Sequence, residues 1–321
     1  MRTVLTFTTC ALVLAAGAAA AQEKFPSRPL RIVVGFGAGS ATDILSREVA
    51  VKMADRWNQG VVVDNRPGAG AVIASEMLAR ASADGHTLAM VSLGHAFNPS
   101  YLAKLPYDTL KDFAGVSTVA DIPNVLVVAP ALKIKTMREL IDLIKNKPGQ
   151  MNFSSAGIGS AAHINGELFN QAAGVKVQHV PFKSMPEALT NTIGGNIQFV
   201  FASVSAAVTL VKSEKLIALA VSAKTRVAAL PEVVPMAEAG LPGFDFTAWY
   251  GLLAPAKTTA AVKNALAAEI ARIVTLPDTK ERLLALGATP RPSTPEQFDN
   301  IVRNDVARFA ALVKATGIKA E

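Results

Sequence analysis

The five residues Gly37-Ala38-Gly39-Ser40-Ala41 recur as Gly157-Ile158-Gly159-Ser160-Ala161, each copy lying between a strand-like apolar run and a helix-like run. Glycines let the backbone approach a ligand closely, and a helix starting behind them aims unpaired N–H groups outward. Those groups and the helix dipole favour an anion. Two such turns on separate units can close on one small anion without a buried arginine. That chemistry is binding rather than bond-making.

The neighbouring residues supply the candidate contacts. Phe36, Ala38, Ser40 and Ala41 belong to the first turn, and Ser155, Ala156, Gly157 and Ser160 to the second. Asp43 opens the first helix; a carboxylate there repels an anion, so a role at the helix start competes with ligand contact. Ser92 and His95 follow the C-terminal end of a third strand, where open α/β sheets bind ligands. Phe182, Lys183 and Ser203 follow equivalent strand ends in the second unit, and Lys183 is the one cation among these candidates. Helix capping by the serines and turn shaping by the glycines are the competing structural roles.

Catalytic patterns are weaker. Gly35-x-Gly37, with Asp64 ending the next strand, approaches a dinucleotide fingerprint, but Ser40 occupies the third glycine position. No Gly-Lys-Ser/Thr follows the glycines and no Gly-x-Ser-x-Gly elbow occurs, which removes the P-loop and α/β-hydrolase readings. His86, His95, His163 and His179 share neither i,i+4 spacing nor a motif with glutamate, so no metal site is expected. No catalytic residue and no cofactor is assigned.

The elements that must position these turns follow from the rest of the chain. In residues 1–21 the only charge is Arg2, an apolar stretch follows, and Ala19-Ala20-Ala21 precedes Gln22, the pattern of a cleaved secretory signal. A retained anchor fits less well, because the segment is short, threonine-rich and lacks a basic flank. The single cysteine, Cys10, lies inside it, so the mature chain of about 300 residues has no disulfide and no cysteine metal ligand. The net charge is +7, or +6 without Arg2, and no Lys/Arg block interleaves with aromatics, so nucleic acid is not an expected partner. The uncharged stretch 188–211 is broken by Gly194-Gly195-Asn196 and is too polar for a membrane span.

Strands at 30–36, 61–64 and 87–92 alternate with helices at 42–57 and up to 81, implying a largely parallel sheet with helices on both faces. A looser section covers 98–112, and a buried strand at 125–129 is a plausible crossover. A helix at 137–147 ends at Pro148-Gly149. The alternation then repeats, with strands at 151–154, 175–182, 197–201 and 216–222 and helices at 160–173, 186–193 and 205–212. A Pro/Gly-rich connection, a strand at 249–255 and helices at 259–276, 278–286 and 295–316 complete the chain. The expected division is a leader 1–21, a first lobe 22–122, a second lobe 123–225, and a return 226–321 that completes the first lobe.

Several ordered strings are specific: Phe25-Pro26-Ser27-Arg28-Pro29-Leu30-Arg31-Ile32-Val33-Val34, Asp64-Asn65-Arg66-Pro67-Gly68-Ala69-Gly70, Ala83-Asp84-Gly85-His86-Thr87-Leu88, Asn152-Phe153-Ser154-Ser155-Ala156-Gly157-Ile158-Gly159-Ser160-Ala161-Ala162-His163 and His179-Val180-Pro181-Phe182-Lys183. Tyr107-Asp108 with Asp112-Phe113, Leu230-Pro231-Glu232-Val233, Glu238-Ala239-Gly240-Leu241-Pro242-Gly243-Phe244 and Trp249-Tyr250-Gly251-Leu252 continue the pattern. Across essentially the whole mature chain they resemble the Bug family of extracytoplasmic solute receptors, the binding subunits of tripartite tricarboxylate transporters. The resemblance implies a non-enzymatic α/β protein with a two-lobed, type II periplasmic-binding fold, each lobe a mostly parallel sheet flanked by helices. It implies a small carboxylate in the interlobe cleft, gripped through main-chain groups and ordered water, with the membrane subunits of a transporter as partner. A periplasmic location and a monomer are the matching expectations. A signalling receptor, or an exported enzyme using the same cleft, are the rival readings. One departure falls in the first turn, where the family commonly has Pro-Gly-Gly and this chain reads Phe36-Gly37-Ala38-Gly39-Ser40-Ala41-Thr42-Asp43.

Overall fold

The computed structural model describes residues 25–316, so the leader and Cys10 lie outside the described residues. The first lobe begins β1 (Leu30–Val34), α1 (Ala41–Trp57), β2 (Val61–Asn65), α2 (Val72–Ala79), β3 (Thr87–Ser92) and α3 (Gly94–Tyr101). β1 lies between β2 and β3, parallel to both, with Leu30 opposite Val61 and Arg31 opposite Thr87. Its short β-branched sequence is buried at Leu30, Ile32, Val33 and Val34, as a strand covered on both faces requires. α3 occupies part of the stretch expected to be loose; Pro99 within it disguises the helix.

β4 (Phe113–Val128) is 16 residues long and serves both lobes. Its residues 113–123 pair antiparallel with β9, and residues 124–128 pair antiparallel with β7 and β8. Sequence alone exposes only the second half, because Pro123 interrupts the apolar run. Irregular register against β9 at Gly115/Ser117 and Thr118/Ala120 accompanies the crossing.

The second lobe continues with α4 (Met137–Asn146), β5 (Asn152–Ser155), α5 (Ala161–Ala173), β6 (Gln178–Pro181), α6 (Met185–Ile193), β7 (Phe199–Ser203), α7 (Val204–Lys212) and β8 (Ile217–Val221). β7 starts two residues later than the sequence predicts, and just before it the Gln198 side chain accepts the Asn152 N–H at 2.8 Å. The chain returns through β9 (Thr247–Pro255), α8 (Ala260–Thr275), α9 (Pro277–Ala285), β10 (Thr289–Pro290) and α10 (Pro295–Thr316). The resulting strand order is β2-β1-β3-β9-β4-β7-β5-β6, with β8 and β10 also on β4. Parallel triplets form the two outer parts, and the antiparallel strands gather at the crossing.

Ser222 ties the outgoing and returning strands together. Its N–H donates to the Asn124 carbonyl at 2.8 Å, its hydroxyl donates to the Phe246 carbonyl at 2.6 Å, and the Phe246 N–H donates back to it at 2.8 Å. Each lobe has its own aromatic core. Phe153, Phe169, Phe199 and Phe201 fill the second, and Phe97, Phe298 and Phe309 the first. Burying each such ring contributes roughly 1.5–3 kcal/mol. These cores hold the strand ends, and therefore the helix starts, in place.

Candidate functional site

The two glycine turns fold alike. Ser40 and Ser160 are the N-caps of α1 and α5, with φ/ψ of −72/161 and −68/156. Each serine N–H donates to the first glycine of its turn, Gly37 or Gly157, at 3.2 Å. The second glycines, Gly39 and Gly159, have φ of +77 and +73, a left-handed conformation that favours glycine. Ser40 Oγ accepts the Asp43 N–H at 3.4 Å, and Ser160 Oγ accepts the His163 N–H at 3.3 Å. The first two N–H groups of each helix, at Ala41 and Thr42 and at Ala161 and Ala162, have no helical acceptor.

All four of these residues line one small cavity of about 30 Å³ between the lobes. Phe36, Ser40, Ser92 and Tyr250 complete its wall from the first lobe, and Ala156, Ser160, Met185 and Ser203 from the second; Asn124 lines it at the crossing. The wall carries hydroxyls and an amide but no Asp, Glu, Lys or Arg. Burial pushes the Tyr250 phenol well up, so its hydroxyl stays protonated.

The lobes touch on either side of the cavity. The Gly37 N–H donates to the Lys183 carbonyl at 3.3 Å. Across from it, Gly70 of the first lobe abuts the second turn, where an added Cβ would lie 2.8 Å from the Ile158 carbonyl oxygen. A Cβ on Gly94 would lie 2.0 Å from the Gly159 carbonyl oxygen, so glycine alone permits that approach.

Seven of the sequence-predicted residues therefore meet in the cavity: Phe36, Ser40, Ala41, Ser92, Ala156, Ser160 and Ser203. Gly157, Phe182 and Lys183 line an outer recess that shares Phe36 and Ala156 with it. Four are placed elsewhere. Ala38 is exposed at the tip of its turn. Asp43 faces inward to brace the first turn, accepting from the Gly39 N–H at 2.9 Å, from Arg47 at 2.9 Å and from Asn65 at 3.0 Å. Burial pushes its pKa up, but these donors outweigh that and hold it below the ordinary carboxylate value. His95 is packed edge-on to Phe113, stacked on Tyr107, with Nδ1 3.3 Å from Ser75 Oγ; burial lowers its pKa to about 4. Ser155 turns its hydroxyl into its own loop, accepting the Gly157 N–H at 3.0 Å and lying 2.7 Å from His179 Nε2.

Sequence reasoning missed Thr42, Asn124, Ala161, Ala162, Met185 and Tyr250. Helix-start logic reaches Thr42, Ala161 and Ala162 once the caps are fixed. Asn124 and Tyr250 reach the cavity only through the pairing of strands distant in sequence. An asparagine inside an otherwise apolar run was the one local signal.

His163 and His179 form a buried pair under the second turn, with ring centroids 4.3 Å apart. Burial lowers His163 to about 4, and burial with the neighbouring imidazole lowers His179 to about 3. Among the described residues no group of three or more His, Cys, Asp or Glu is arranged to hold a metal ion, and no helix is long and apolar enough to cross a membrane.

Residues 45–318 match the family model of the tripartite tricarboxylate transporter family receptor. The chain belongs to this family, the Bug receptors. Protein BugT of Bordetella pertussis (strain Tohama I) is 34% identical over 299 residues, covering 92% of each chain. The periplasmic binding protein BugD superposes with a TM-score of 0.89 at 29% identity, over 92% of this chain and all of that one. MatC from Rhodopseudomonas palustris with bound malate superposes with a TM-score of 0.86 at 31% identity, over 90% of this chain and 100% of that one. This Bug-family chain thus has the periplasmic-binding architecture of its relatives, with the paired serine-capped helix starts facing one cavity.

Proposed function

We propose that the protein is a periplasmic receptor that captures a small carboxylate by lobe closure and delivers it to the membrane subunits of a tripartite tricarboxylate-type transporter. The observation that carries this reading is that two helix starts, one from each lobe, line one uncharged cavity with Ala41, Thr42, Ala161 and Ala162, whose N–H groups have no acceptor within their helices. A carboxylate held there gains charge-assisted hydrogen bonds, each worth roughly 1.5–3 kcal/mol net, and a few suffice for micromolar affinity. Malate bound to MatC, a relative with the same architecture, supports the ligand class. A monomeric receptor is part of this reading. No nucleophile–base pair lines it, which favours binding over catalysis. The leader at 1–21, cleaved near Ala21, would export the chain.

A thermal-shift screen of the mature protein against mono-, di- and tricarboxylates tests this reading. At least one carboxylate should give a clear stabilisation; stabilisation by sugars or cationic amino acids alone would contradict it.

A further inference from the structure

We propose that the ligand carries a hydroxyl as well as a carboxylate, and that Asn124 reads that hydroxyl; this rests on the carboxylate reading above. Asn124 sits where β4 passes between the lobes and is 1% exposed. Its surroundings fix which way the amide points. Nδ2 donates to the Phe201 carbonyl at 2.7 Å, and the reversed amide would set two oxygens against each other. The backbone is also committed: its N–H donates to Ser222 Oγ at 2.9 Å and its carbonyl accepts the Ser222 N–H at 2.8 Å. What remains is Oδ1, buried without a protein hydrogen-bond partner in a residue that lines the cavity.

A buried acceptor in that position calls for a donor. The helix-start N–H groups only give protons, so they call for an acceptor. A bare carboxylate answers the helix starts but has no proton for Oδ1. A hydroxy acid answers both. An ammonium group would also bring a proton, but no carboxylate lines the wall to carry its charge, and Asp43 is already engaged by Arg47 and Asn65. The substrate class is therefore the hydroxycarboxylates, with amino acids disfavoured. A site built to hydrogen-bond a hydroxyl rejects the analogue lacking it strongly, because its own group is then left unpaired.

Titration calorimetry on the mature protein with pairs differing only by the hydroxyl tests this: malate against succinate, lactate against propionate, citrate against tricarballylate, with aspartate beside malate. At least one hydroxy acid should bind tenfold or more tightly than its partner, and malate more tightly than aspartate. In Asn124→Leu the ratio of affinities within that pair should shrink to threefold or less. Equal affinity within every pair that binds, tighter aspartate than malate, or a preference that survives in the variant would overturn the proposal. Should Asn124→Leu fail to fold, Asn124→Ser, too short to reach the same point, gives the same readout. Binding of unhydroxylated acids alone removes this inference and leaves the carboxylate reading standing. Binding of none of these acids removes both.

Discussion

Asp43 and His163 hold the same station in the two lobes. Each is the third residue of a helix capped by serine, and each accepts the N–H of the glycine four residues earlier, at 2.9 Å from Gly39 and 3.3 Å from Gly159. The first turn is braced by a carboxylate and the second by a neutral imidazole. One repeated backbone design thus rests on two side chains that differ in charge: protonation neutralises the carboxylate and makes the imidazole cationic.

Acid should loosen the second turn first. His163 accepts through Nδ1 only while neutral, and its pKa is lowered from 6.5 to about 4. His95 and His179 are lowered to about 4 and about 3. Below about pH 6.5 the unfolded chain binds protons that the folded chain refuses, so stability falls as pH drops towards 4 and is flat in this respect above 6.5. The slope reaches about 1.4 kcal/mol per pH unit for each histidine. Urea unfolding at about pH 7.5, 6 and 5 measures it, with His163→Gln flattening the profile; equal stability at all three would contradict the assignment.

The close approach of the two lobes depends on bare backbone at Gly94. In Gly94→Ala the new methyl meets the Gly159 carbonyl, 2.0 Å from an ideal Cβ position. Each lobe can fold around it, but the lobes cannot meet. Carboxylate affinity should fall at least about tenfold while the melting temperature without ligand moves by only about 2 °C. Calorimetry and a melting curve on the same preparation check both; unchanged affinity would refute the contact.

Capping and binding separate at Ser160. Ser160→Ala removes a cap and should cost about 1 kcal/mol of stability. Ser160→Asp keeps a capping oxygen but sets a negative charge at the mouth of the same helix start. Its stability should stay within about 0.5 kcal/mol of the natural protein, and carboxylate binding should be lost. Retained binding in the aspartate variant would mean that the anion does not sit there.

Lys183 is the natural suspect for an anion, yet its carbonyl rather than its ammonium makes the lobe contact, and its side chain borders the outer recess. Lys183→Ala should change carboxylate affinity by less than about threefold, as expected for a solvated charge. A loss of tenfold or more, read by calorimetry, would move the anion outward.

The two helix starts were legible because glycine, serine cap and apolar periodicity are local signals. The second half of β4 was legible as a buried run, but its first half was hidden by Pro123, and α3 by Pro99. Asp43, Ser155 and His95 carry the right chemistry at the right strand ends, and only three-dimensional packing reveals that Arg47, His179 and Phe113 with Tyr107 engage them. Asn124 and Tyr250 come to the cavity by pairing across the lobe crossing, a long-range fact that no local pattern encodes.

A crystal structure of the mature protein grown with its tightest-binding carboxylate tests the paired helix starts most directly. One carboxylate should sit within about 3.1 Å of the N–H groups of Ala161 and Ala162, and reach those of Ala41 and Thr42 directly or through one water. A carboxylate seated instead in the outer recess against the Lys183 ammonium, with the four N–H groups bonded to solvent alone, would contradict it.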